Sequence, residues 1–133
     1  MVPSLALDLF HAARSYEAAL GARLTGALAA EGVTISDAQL GFLAALICGD
    51  NTASDIARRL GISRQAVARQ VGDLEQAGWL TTTQDQARRN QRIIRFTDHG
   101  ERLMGACRRH LKAMDQELGP DAAKAIAVLG RIG

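Results

Sequence analysis

From about residue 4 to residue 30, apolar side chains recur three and four apart as Leu5, Leu9, Ala13, Tyr16, Leu20, Leu24 and Leu28, with Phe10 and several alanines widening the stripe. The spacing predicts one long helix, about 40 Å at the usual rise per residue. A small domain cannot cover such a stripe alone, so part of it is expected to meet another subunit. Glu31, Gly32 and Val33 break the pattern. Ser36 with Gln39 then forms a capping box opening a second helix through Leu40, Phe42, Leu43, Leu46 and Ile47. That helix is apolar on most sides, so it is expected to be central, with Cys48 buried as a small core residue. Thr52 and Asp55 read as a second capping box, for a short helix with Ile56 and Leu60 inward and Arg58 and Arg59 outward.

Gly61, Ile62 and Ser63 make a three-residue turn into the stretch SRQAVARQVGDLEQAG at 63–78. Ser63 caps a helix start, Gly78 sits where a left-handed residue ends one, and Val67, Val71 and Leu74 share the face between them. At 100° per residue Gln65, Arg69 and Gly72 point the opposite way, flanked by Arg64 and Ala68. An outward face of two guanidiniums, an amide and small residues suits a DNA groove: Arg reads guanine, Gln pairs with adenine, and the small residues permit close approach. Charge on one helix face is also what any solvated surface helix shows. The short helix before it and the glycine-containing turn decide for a helix-turn-helix.

Beyond Gly78 the period changes to that of strands. Residues 79–83 are threonine-rich, 92–96 alternate as Arg, Ile, Ile, Arg, Phe, and a polar run at 84–91 lies between. This predicts a hairpin with a long, mobile basic tip bearing Arg88 and Arg89, placed as a wing whose arginines enter a minor groove or hold phosphates. Trp79, Leu80, Ile93, Ile94 and Phe96 are expected to pack in part on the helices, because a lone hairpin is marginal. Thr97 caps a further helix to about Gly119 with the stripe Leu103, Cys107, Leu111, Met114 and Leu118. After Gly119 and Pro120, a short helix carrying Ile126, Leu129 and Ile132 ends the sequence, and with the first helix it is expected to form a dimer seam.

Composition agrees with a helical domain: of 133 residues 47% are hydrophobic and only 4% aromatic. The net charge is only +2, but residues 52–97 hold eight arginines against four acids, while residues 1–51 hold two arginines against five acids. Basic charge therefore gathers around the helix-turn-helix and wing, as a phosphate-binding surface requires. Cys48 and Cys107 show no paired spacing, so neither a disulfide framework nor a metal site is expected. No apolar run reaches the length of a membrane span, and the opening MVPSLALDLF lacks the features of a signal peptide. The expected location is the cytoplasm, without membrane contact. No glycine-rich phosphate loop, nucleophile elbow or close His and carboxylate metal spacing is present, so no catalytic residue and no cofactor are expected.

The segments Gln39–Leu40, ASDIARRLGISRQAVARQVGDLEQAGWL, Asp85 with the wing arginines, and FTDHGERL at 96–103 resemble the MarR family of bacterial winged-helix transcriptional regulators, in the family's order and over nearly the whole sequence. The resemblance implies a mainly α fold: a winged helix-turn-helix with long N- and C-terminal dimerisation helices and a two-stranded β wing. Residues 1–32 and 98–133 would be the dimerisation helices and 33–97 the DNA-binding region. It implies a homodimer, by family habit a repressor, on the double-stranded DNA of a pseudo-palindromic operator. By position Ser63, Arg64, Gln65 and Arg69 would face DNA, and Thr52 would meet a phosphate at a helix start. The wing departs from the family's pattern: Asp85 is kept, but Ala87, Arg88 and Asn90 stand where Arg, Asp and Arg are expected, so Arg88 and Arg89 would supply contacts from shifted positions. Many members respond to small aromatic or phenolic acids; here His11, Arg14 and Tyr16 are the candidates to meet such a ligand.

Two rival readings share the fold. In one, the dimer is a thiol redox sensor; some relatives use a cysteine near the first helix, which here has none, leaving Cys107. In the other, the winged helix is a protein-interaction module, against which the eight arginines argue.

Overall fold

The computed structural model describes residues 3–133 and contains six helices and one two-stranded antiparallel sheet. Helix α1 (Leu5–Ala30) starts at Ser4, whose hydroxyl accepts from Leu7 N. Helix α2 (Asp37–Ala44) carries the expected capping box, with Gln39 N donating to Ser36 Oγ and Ser36 N to Gln39 Oε1, both at 3.1 Å. Helices α3 (Ala53–Leu60) and α4 (Arg64–Gln76) follow, then strands β1 (Leu80–Gln84) and β2 (Arg92–Phe96). Helix α5 (Asp98–Leu118) and the terminal α6 (Ala122–Ile132) complete the described chain.

A single core joins these elements. Leu24 and Leu28 of α1, Leu40 and Leu43 of α2, Ile56 of α3, Val67, Val71 and Leu74 of α4, Leu80 and Ile94 of the sheet, and Leu103 and Cys107 of α5 are all buried in it. Only the C-terminal half of the α1 stripe is covered. Leu5, Phe10 and Tyr16 remain exposed, as do Leu118, Ile126, Leu129 and Ile132 at the other end of the chain. A bidentate ion pair clamps α1 to α5, Arg23 to Glu117 at 2.7 and 3.0 Å.

Three sequence expectations fail locally. Helix α2 stops at Ala44, so Ile47 and Cys48 lie outside it and are exposed rather than buried. The chain turns there because the Asn51 side chain takes the backbone of Ile47, accepting from its N–H and donating to its carbonyl, both at 2.9 Å. Leu60 is 36% exposed rather than inward; the left-handed turn at Gly61 lets Ile62 pack against the core. The second capping box is one-sided: Thr52 Oγ1 accepts from Asp55 N, while the Asp55 carboxylate, one methylene shorter than a glutamate, pairs with Arg58 at 2.6 Å.

Candidate nucleic-acid interface

The turn into α4 is closed by side chains. Ser63 Oγ accepts from Ala66 N at 3.1 Å, which starts the helix and leaves the hydroxyl proton free to donate outward. At the far end Gly78 has φ +86°, a conformation glycine adopts without Cβ strain. There Gly78 N donates to Glu75 O and Trp79 N to Leu74 O, the paired bonds of a Schellman ending. The helix is thus fixed at both ends, and Val67, Val71 and Leu74 seat its inner face. Arg64, Gln65, Ala68, Arg69 and Gly72 are exposed on the opposite side, the arrangement their spacing predicts.

The wing stands beside this face. The strands pair in register from Leu80 opposite Phe96 to Gln84 opposite Arg92, and Thr82 Oγ1 donates to Glu75 Oε1 at 2.8 Å, tying β1 to α4. Residue 51 adds a short third rung, exchanging both backbone bonds with Ile94. Arg95 of β2 pairs with Asp50 at 2.9 Å. The tip is closed by its own bonds: Asp85 Oδ1 accepts from Ala87 N at 2.9 Å, Gln84 Nε2 donates to Arg89 O at 2.8 Å, and Asp85 N donates to Gln91 O at 2.9 Å. Arg88 and Arg89 are exposed on it.

Ion pairing separates two groups of arginines. Arg23, Arg58 and Arg95 hold structural carboxylates, whereas among the described residues none of Arg64, Arg69, Arg88 and Arg89 has a carboxylate within ion-pair distance. Four guanidiniums on one helix face and one hairpin tip are therefore available to an outside anion. Thr52 is less so. Its hydroxyl already caps α3, and together with Arg58 it holds the Asp55 carboxyl below its usual range, Arg58 being the larger cause.

The root of the wing explains FTDHGERL. Thr97 Oγ1 donates to Gly78 O at 2.6 Å and accepts from Gly100 N at 3.0 Å, so one hydroxyl joins the end of α4 to the start of α5. A Cβ on Gly100 would lie 2.1 Å from the Trp79 carbonyl oxygen, so only glycine allows this approach. The His99 ring stacks on Trp79 at 4.3 Å between centroids and 6° between planes.

The three ligand candidates on α1 do not converge. Arg14 lines a cavity of about 460 Å³ between α1, α2 and α5, but His11 and Tyr16 are not among its lining residues. His11 tilts against Phe10 at 5.4 Å instead. The cavity wall includes Glu17, Leu20, Leu24, Asp37 and Leu40. Glu17 was legible on the Arg14 side of α1, three residues on along the same helix face as Leu20 and Leu24. Asp37 was not, because its place beside α1 depends on how the second helix returns. Cys107 is 2% exposed, and burial pushes its thiol up, away from the thiolate form that oxidation requires. No group of His, Cys, Asp and Glu among the described residues is disposed to hold a metal, and no described helix is long and apolar enough to cross a membrane.

An α3–turn–α4 unit with a buried inner face, followed by a two-stranded wing and enclosed by long helices, defines a winged helix-turn-helix protein. Residues 32–89 match the model of the MarR family, and the chain shares its fold over nearly all of its length with a MarR-family transcriptional regulator from Rhodococcus sp. RHA1, at a TM-score of 0.71 and 19% identity. The chain is similar to CouR bound to a 23-mer DNA duplex, with a TM-score of 0.74 at 22% identity, covering 99% of this chain and 98% of that one. It is similar to CouR from Rhodococcus jostii RHA1 bound to p-coumaroyl-CoA, with a TM-score of 0.73 at 18% identity over 98% and 95%. Overoxidized AbfR bound to DNA gives 0.69 at 23% identity over 96% and 91%. No curated protein matches by sequence.

Proposed function

We propose that this chain is a transcription regulator that binds double-stranded DNA as a homodimer, placing α4 of each protomer in the major groove of a pseudo-palindromic operator and the wings in the flanking minor grooves. The observation that carries the reading is the set of unpaired arginines, Arg64 and Arg69 on the outward face of α4 and Arg88 and Arg89 on the wing tip. Gln65 adds a base-reading amide and Ser63 a free hydroxyl proton. CouR and AbfR, which share the fold, are seen on DNA. Residues 1–32 and 98–133 form the dimerisation helices in this reading, because seven of the nine large apolar side chains left exposed among the described residues lie there. The sign of regulation is repression, and a small aromatic or phenolic effector in the cavity of α1, α2 and α5 alters the spacing of the two recognition helices.

Selection of duplexes from a random pool tests this reading. It is expected to enrich an inverted repeat whose half-sites lie about one helical turn apart. A pool that stays random, or enriches single half-sites, contradicts it. The redox reading is disfavoured by the packed, proton-retaining Cys107.

A further inference from the structure

We infer that the cavity between α1, α2 and α5 selects a small aromatic amine, a cation, over the corresponding aromatic acid. The inference rests on the effector reading above and assigns the charge of the ligand. A volume of about 460 Å³ accepts one substituted ring, and Leu20, Leu24 and Leu40 give it an apolar floor. The charged wall is unequal: Glu17 and Asp37 line the cavity against Arg14 alone. Among the described residues neither carboxylate belongs to an ion pair, so both are unneutralised. The Arg14 guanidinium lies 5.8 Å from the centroid of the Phe10 ring, and Phe10 is outside the lining.

Asp37 is held in place by a missing side chain. A Cβ on Gly21 would lie 2.9 Å from Asp37 Oδ2, so the carboxylate rests directly on bare α1 backbone. On the facing helix, a Cβ on Gly41 would meet nothing within 4 Å, although a glycine in a helix interior costs about 1 kcal/mol relative to alanine. Two lining positions, Gly21 on α1 and Gly41 on α2, thus carry no side chain, the first covered by Asp37 and the second open. An amine meets two carboxylates and forms charge-assisted hydrogen bonds; an acid in the same pose meets two like charges and one guanidinium.

Three probes sharing one ring test the inference by calorimetry on the full chain: tyramine, para-ethylphenol and para-hydroxyphenylacetate. Tyramine is expected to bind roughly tenfold tighter than the acid, with the neutral phenol between. In Glu17→Gln/Asp37→Asn the preference is expected to fall below about threefold. Raising the salt from about 50 to 500 mM on the native chain, which needs no variant to fold, should also shrink it. Gly41→Leu, whose Cβ would meet nothing within 4 Å, should abolish binding of all three with thermal unfolding unchanged or raised. Equal or tighter binding of the acid, no binding of any probe, or a preference that survives the double variant overturns the inference. DNA binding is read separately by anisotropy, so its loss would strike the regulator reading and leave the charge preference of the cavity standing.

Discussion

Asn51 and Ile94 exchange both backbone hydrogen bonds, Asn51 N to Ile94 O at 3.0 Å and Ile94 N to Asn51 O at 2.8 Å, which fastens the wing to the start of α3. Asn51 is 1% exposed, and its side chain satisfies Ile47 N and O and reaches Ile94 O at 3.2 Å. One buried amide therefore sets where α2 ends, where α3 begins and where the wing sits. Asn51→Ala takes the side-chain partner from Ile47 N and O, while Ile94 O keeps its bond from the residue 51 backbone, and is expected to cost about 1–3 kcal/mol in urea unfolding. A loss under about 0.5 kcal/mol would mean that the ladder bonds alone hold the junction.

Gly100→Ala is expected to destabilise by about 1–3 kcal/mol, because its methyl group meets the Trp79 carbonyl at the root of the wing. Gly72→Ala is the matched control. A Cβ there meets nothing, so stability should hold or rise by up to about 1 kcal/mol. Equal thermal shifts in the two variants would refute the close approach.

Cysteine chemistry distinguishes the two thiols. Cys48 is exposed and Cys107 is buried with its thiol pushed up, so an aromatic disulfide reagent at pH 8 should modify Cys48 fast and Cys107 only at the rate of opening. Cys48→Ser should remove the fast phase and leave DNA binding unchanged. A fast phase that persists in that variant would return Cys107 to the redox reading.

Acid should loosen the clamp between α1 and α5. The hydrogen bond and charge of Arg23 hold the Glu117 carboxyl below its usual range, so its contribution is complete above the ordinary carboxylate value, about pH 4.3, and is lost as pH falls below it. The pair is solvent-exposed, so the effect is small and weakens in salt. Between about pH 5 and 3 the native chain should lose stability more steeply than Glu117→Gln. Parallel stability curves would leave the ion pair without a thermodynamic role.

Caps and periodicity carried much of the fold into the sequence. Ser36, Ser63 and Thr97 each start the helix predicted for them, and the 3.6 period of Val67, Val71 and Leu74 placed the outward face of α4 correctly. What failed depended on contacts distant in sequence. Nothing local says that Asn51 reaches back to Ile47 and across to Ile94, so α2 read too long and Cys48 too deep. Arg14 lines the cavity, while His11 and Tyr16, on the same helix, are not among its lining residues. The bond from Gln84 to Arg89 O at the wing tip was not legible, because it follows from the fold of the turn and not from residue type.

The central claim is that α4 reads base pairs while the wing holds backbone. Anisotropy of a labelled duplex carrying the selected inverted repeat, titrated at several salt concentrations beside a scrambled duplex, tests it most directly. Native protein should prefer the repeat and lose affinity steeply with salt. Arg64→Ala should cost about 1–3 kcal/mol on the repeat and less on the scrambled duplex, while Arg88→Ala/Arg89→Ala should weaken both and flatten the salt slope by about 2. Equal affinity of the native protein for both duplexes, or an Arg64→Ala variant that keeps the preference intact, would contradict the account.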